Sequence, residues 1–184
     1  VIDPSDVIKY DRTDSELQEW WLFSIVVAGK TARTQAQLLD NFLNAIAHYG
    51  ETPFEAIRAA NVAGVLEDEL RASHLGQYTR IMKCFLQSLD VNIREASVAE
   101  LETIHGIGPK TARMFVMHSR KDARYAALDT HILKFLADAG HEVPKTTPSG
   151  AKYALLEAAF LELADEAGMS PSEYDLEIWK SYAK

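Results

Sequence analysis

The sequence predicts an all-α protein, and three features carry that expectation. Apolar residues recur at helical spacing along most of the chain, while strand-type alternation is scarce. Four Ser/Thr-x-x-Glu groups, starting at Thr13, Thr52, Ser97 and Ser170, have the form of capping boxes, in which a hydroxyl and a carboxylate satisfy a helix's first amides reciprocally. Glycines and prolines, Gly64 apart, fall between the expected helices or at their starts. The spacing of these signals gives about ten helices of ordinary length.

In chain order, residues 1–12 form an irregular lead, and the box at Thr13-Asp14-Ser15-Glu16 opens a helix reaching about Ala28. With Leu17, Trp20, Trp21, Phe23, Ser24 and Val27 around it, it is apolar nearly all round, so it should be a central buried helix. The corner Gly29-Lys30-Thr31-Ala32-Arg33 breaks it. A second helix is expected over Thr34 to Tyr49, with Gly50 as its left-handed cap. Pro53 begins the third helix after Thr52. A short helix is expected over Asn61 to Glu69, and an amphipathic one over Gln77 to Ser88 with Ile81, Met82 and Phe85 inward. The box at Ser97 leads into a glycine turn. Beyond it, helices are expected at 130–139, 151–167 and from Ser170 to near Tyr182, with 141–150 as a proline-containing connector.

The chain has 184 residues, enough to bury a core without disulfides or metals. A single cysteine, Cys84, excludes a disulfide framework and a four-cysteine cluster; its apolar neighbours suggest a buried, inert thiol. The longest apolar run, Trp20 to Gly29, is shorter than the ~20 residues a membrane helix needs. No signal-peptide pattern opens the chain, so a cytoplasmic, prokaryotic or phage setting is expected. Net charge is −8, yet from His105 to Arg124 the cations Lys110, Arg113, Arg120, Lys121 and Arg124 face only Asp122, which is 5 − 1 = +4. A basic segment on an acidic body is compatible with a nucleic-acid ligand held with salt-sensitive affinity.

That segment also carries the chemistry. Gly106 and Gly108 permit a tight turn, and Pro109 suits the first position of the next helix. A helix start of this kind offers free amides and a positive dipole end to a phosphate. On these residues alone, a plain helix–helix turn with glycine as cap is the better explanation of the glycines. Asp129, between Ala126-Ala127-Leu128 and Thr130-His131, is a natural N-cap for the helix after it and a candidate catalytic carboxylate. His105 and His131 read as structural.

Leu101 through Ala112 followed by Leu128-Asp129-Thr130-His131 resembles the helix-hairpin-helix DNA glycosylase superfamily, the group containing endonuclease III and 8-oxoguanine glycosylase. Lys110 and Asp129 are separated by 129 − 110 = 19 residues, as that pattern requires. The likeness covers about residues 15–140. It implies a two-lobed helical fold: a six-helix barrel lobe at 29–129 carrying the hairpin (about 98–119), and a terminal lobe from 1–28 and 130–184. It implies a monomer acting on double-stranded DNA that contains a damaged or modified base. The nucleotide would be flipped out of the helix, Lys110 would attack the sugar and then act as a lyase, and Asp129 would assist. Gly106, Ile107, Gly108, Lys110, Thr111, Arg113 and Lys30 would contact DNA.

Two departures qualify the resemblance. One cysteine cannot ligate the iron–sulfur cluster of endonuclease III, so no cofactor is expected. Lys30 stands where the family often places Gln or Asn, so it fills the vacated base stack, contacts phosphate, or is merely solvated. The corner Val27-Ala28-Gly29-Lys30 and the segment Asp175-Leu176-Glu177-Ile178-Trp179 also resemble phage enzymes of this fold that modify an activated 5-hydroxymethyluracil. A base-modifying transferase is therefore an alternative, and a non-catalytic DNA-binding hairpin a second one. Trp20, Trp21, Phe23 and Trp179 are either core or base-pocket residues.

Overall fold

A computed structural model describes residues 1–182, and the described residues form ten α-helices with no strand. These are α1 (Asp14–Val26), α2 (Ala32–Ile46), α3 (Pro53–Val62), α4 (Leu66–Ala72), α5 (Tyr78–Ser88), α6 (Val98–Glu102), α7 (Pro109–Ser119), α8 (Thr130–Asp138), α9 (Gly150–Glu166) and α10 (Pro171–Tyr182).

The capping boxes do what the sequence promised. Thr13, Thr52 and Ser97 each accept from the third helical amide while the glutamate there accepts from the cap's own amide. Ser170 and Glu173 form the same reciprocal pair ahead of α10. Each such cap contributes about 1 kcal/mol to its helix.

Two helix ends differ from expectation. Helix α2 stops at Ile46 because Ala47 turns extended (ψ 137°), so Gly50, although left-handed at φ +85°, shapes a turn beyond the helix and does not cap it. The helix expected at 61–69 is divided differently. Helix α3 runs on to Val62, Gly64 turns left-handed, the Val65 amide closes back on the Ala60 carbonyl, and α4 begins only at Leu66. The glycine sits where the two pieces part.

The chain groups into two compact units, one of residues 1–7 and 11–108, the other of residues 8–10 and 109–184. The expected boundaries at 28 and 129 are not where these units divide. Helix α1 belongs with α2, α3 and α5, against which it packs, because a helix apolar on every side needs neighbours on every side. Helix α7 belongs with α10, and the division falls at Gly108–Pro109.

In the first unit Trp20, Trp21 and Phe23 are core residues. The Trp21 indole N–H donates to Ser88 Oγ at 2.8 Å, which satisfies the polar atom that burial brings inside. Cys84 is fully buried, and burial pushes its thiol up to about 12, the inert state expected of it. In the second unit, Leu128, Ile132 and Leu136 pack with Tyr153, Leu156, Phe160 and Ile178.

Candidate active site

The turn at Gly106 forms the end of the first unit. Gly106 lies at φ +77°, a conformation that calls for glycine, and a Cβ there would press on Arg80 Cγ at 3.1 Å. Ile107 is buried beneath the turn, and its amide closes on the Ile104 carbonyl at 3.1 Å. The His105 amide donates to Gln87 Oε1, which ties the turn to α5. The next residues open the second unit, where Pro109 takes the first position of α7 as its missing amide favours. Lys110 is half-buried in the first turn of α7, and Thr111 is buried.

Asp129 caps α8. Its Oδ1 accepts from the Ile132 amide at 2.9 Å. Burial pushes its proton affinity up, the Ile132 amide opposes that, the negative charge of Asp175 adds to it, and Lys110 and His131 pull it back down. Asp129 is thus both cap and member of a charged cluster, and Lys110 lies within its electrostatic range.

What presents Asp129 is the extended stretch before it. The Tyr153 hydroxyl donates to the Ala126 carbonyl at 2.6 Å and accepts from the Leu128 amide at 3.1 Å. Glu157, one turn further along α9, accepts from the Ala126 amide at 2.8 Å. The same carboxylate oxygen accepts from Arg113 Nε at 2.8 Å, in a pair whose side chains are 18% and 14% exposed. The Arg113 guanidinium lies over the Tyr153 ring at 4.5 Å. Arg113, expected among the DNA contacts, is therefore turned into the second unit, where it holds the residues that hold the 126–128 segment. Neither Tyr153 nor Glu157 was legible in advance, because they lie 24 and more positions downstream of Asp129 with no motif attached.

A second carboxylate joins from α10. Asp175 Oδ2 bonds His118 Nε2 at 3.1 Å, and His118 is only 2% exposed. One turn along α10, the Trp179 ring meets the His131 ring edge-on at 6.4 Å. Trp179 thus stands beside His131, a member of the Asp129 cluster, while Trp20, Trp21 and Phe23 are buried in the core of the first unit.

The basic segment is smaller than its count. Arg113 is paired with Glu157, and Arg124 grips Asp165 with both terminal nitrogens at 3.1 and 2.8 Å. Lys30 also differs from a solvated lysine, since its ammonium donates to the Leu75 carbonyl and burial, with Arg80 nearby, lowers its proton affinity. No group of three or more His, Cys, Asp and Glu side chains suited to a metal occurs among the described residues. No helix among them is long and apolar enough to cross a membrane.

Residues 91–116 match the helix-hairpin-helix motif family, the span that holds α6, the glycine turn and the start of α7. In overall fold the chain is similar to solved DNA glycosylases. Its backbone is similar to that of the Methanocaldococcus jannaschii 8-oxoguanine glycosylase/lyase solved in complex with a 15mer DNA containing 8-oxoguanine. The TM-score is 0.70 at 23% identity, over 92% of this chain and 81% of that one. The 8-oxoguanine DNA glycosylase of Thermotoga maritima gives 0.69 at 19% identity, over 92% and 80%. In sequence, 95 residues are 30% identical to the 8-oxoguanine DNA glycosylase/AP lyase of Picrophilus torridus. That match spans 52% of this chain and 44% of the relative.

Proposed function

We propose that this chain is a DNA glycosylase with lyase activity that removes a flipped, damaged base from duplex DNA, with 8-oxoguanine the foremost candidate. The observation that carries the reading is the half-buried Asp129 within electrostatic range of Lys110, immediately beyond a glycine hairpin of the helix-hairpin-helix kind. Hairpin amides at Gly106 to Gly108 and the first turn of α7 hold the DNA backbone near the target nucleotide. The Lys110 amine attacks C1′ and the bond from C1′ to the base breaks, the base leaving with a proton. As the C1′–O4′ bond breaks, O4′ takes up the proton that Asp129 accepted and a protonated Schiff base forms between Lys110 and C1′; loss of a proton from C2′ then breaks the C3′–O bond and releases the 3′ phosphate. Asp129 in its carboxylate form accepts a proton from the Lys110 ammonium and faces the positive charge that develops on the sugar. The chemistry draws only on this chain's own groups.

Borohydride reduction in the presence of an 8-oxoguanine duplex tests the reading. A covalent protein–DNA adduct is expected with the wild-type chain and none with Lys110→Gln. Trapping that survives Lys110→Gln would remove Lys110 from the nucleophile's role, and a panel of duplexes with other single lesions would rank the base. The gathering of Asp175 and Trp179 at Asp129 also favours a second reading, a base-modifying transferase of the same fold. Incubation with DNA carrying an activated 5-hydroxymethyluracil and an amine, followed by nucleoside mass analysis, separates it from the first.

A further inference from the structure

The first unit contains a four-residue stretch with three left-handed positions: His74 at φ +59°, Gly76 at +74° and Gln77 at +48°. Only the glycine adopts that conformation freely, so something must hold the other two. Leu75 anchors the stretch by burying its side chain. Two cations do the rest. Lys30, from the corner after α1, donates to the Leu75 carbonyl. Arg80, in the first turn of α5, spreads its guanidinium over three segments. Its Nε donates to Gln77 Oε1 at 2.8 Å, its Nη2 to the Ile25 carbonyl at 3.1 Å, and its Nη1 to the Gly106 carbonyl at 3.5 Å. Its stem packs against the space where Gly106 has no side chain. The end of α1, the 74–77 turn and the glycine hairpin thus converge on one side chain.

We propose that Arg80, seconded by Lys30, is a positioning residue for nucleic-acid binding, which fixes the 74–77 turn and the hairpin as one preorganised surface without itself contacting phosphate. The proposal rests on the DNA-binding reading above. Its geometric basis is that each of the three guanidinium nitrogens already donates to a protein oxygen, and that Lys30 likewise points at a carbonyl. A planar fork carries its donors on three separate nitrogens and so spans acceptors on three separate segments, whereas an ammonium donates from a single nitrogen. Preorganising two backbone segments avoids the cost of ordering them when DNA arrives.

Two measurements on the full chain test it. The first is amide hydrogen exchange of the free protein. Arg80→Met should speed exchange at residues 75–78 and 106–107 by about tenfold or more, as loss of a local brace predicts. Unchanged exchange overturns the brace whether or not the protein binds DNA. The second is affinity for a duplex with an abasic-site analogue as a function of salt. Arg80→Met and Arg80→Lys should both bind about tenfold more weakly with an unchanged slope of log affinity against log salt. A slope smaller by about one, or full affinity in Arg80→Lys, makes Arg80 a charge contact and overturns the proposal. Should Arg80→Met fail to fold, Arg80→Lys and Lys30→Met carry the same two readouts. A wild-type chain that binds no duplex sinks the proposed function, while the exchange comparison still judges the brace.

Discussion

The glycine hairpin and the segment that presents Asp129 are both short, irregular and central to the proposed chemistry, yet they are shaped by different means. The hairpin takes its turn from its own residues, with Gln87 and Arg80 of α5 bracing it from outside. Gly106 takes the left-handed turn, Ile107 anchors it, Pro109 starts the next helix, and the Ser97 box fixes the helix before it. The 126–129 segment owes its course to partners far away in sequence. Tyr153 and Glu157 of α9 satisfy the Ala126 and Leu128 backbone groups, and Arg113 of α7 holds Glu157. The difference is physical. A backbone grip for phosphate needs only amides and a turn, which local residue choice supplies. A carboxylate aimed at one atom needs its backbone fixed from several sides, which only tertiary contacts provide.

Substitutions can break this contrast, the largest effect coming from Asp129 itself. Asp129→Asn should lower base release by roughly 10² to 10⁴, the range of a lost acid–base group, with duplex affinity changed only slightly. Single-turnover kinetics and a binding titration would read both. Unchanged turnover would reduce Asp129 to a helix cap, and the long-range pinning would then serve stability alone.

Next is Glu157→Gln, which leaves Arg113 half of a broken, mostly buried pair. Chemical denaturation should show a loss of about 3 kcal/mol, the lower end for such pairs. Turnover should fall with it, because the Ala126 amide loses its charged acceptor. Hairpin-dependent DNA affinity should stay near wild type if the two regions are as separately built as their contacts indicate.

Asp175→Asn gives a smaller effect and a cleaner one. Asp175 adds to the upward push on Asp129's proton affinity, so its neutralisation should move Asp129 back toward the ordinary carboxylate range. Asp129 works ionised, so the acid limb of the pH–rate profile should shift to lower pH. The stability linkage has the opposite sense to the usual salt-bridged aspartate. With the folded value raised, the native state holds the proton longer than the unfolded chain. Stability therefore falls as pH rises from the ordinary carboxylate value through the raised one, and Asp175→Asn should flatten that fall. An acid limb that does not move would show that Asp175 does not act on Asp129.

Least affected should be Arg124→Ala. Its pair with Asp165 is more than half exposed on both sides, so thermal unfolding should change by about 0.5 kcal/mol or less. A larger loss would mean that the basic segment contributes to the second unit's stability as Arg113 does.

The sequence by itself determined the helical class, the capping boxes, the glycine hairpin with Pro109 behind it, and the buried character of α1 and Cys84. These rest on interactions within a few residues or on apolar periodicity, both of which are written locally. It also brought forward Asp129 as a cap and as a candidate carboxylate. What only the tertiary structure decided was how charged side chains are used. Arg113 and Lys30 carry the charge a DNA contact needs, yet one pairs with Glu157 and the other holds the Leu75 carbonyl. Tyr153, Glu157 and His118 carry no motif, and the segment resemblance that includes Asp175 does not place it near Asp129, yet these residues set the course and the charge around Asp129. A cation's partner is chosen by which carbonyls and carboxylates the fold brings within about 3 Å of it, and that proximity is long-range information absent from any local stretch of chain.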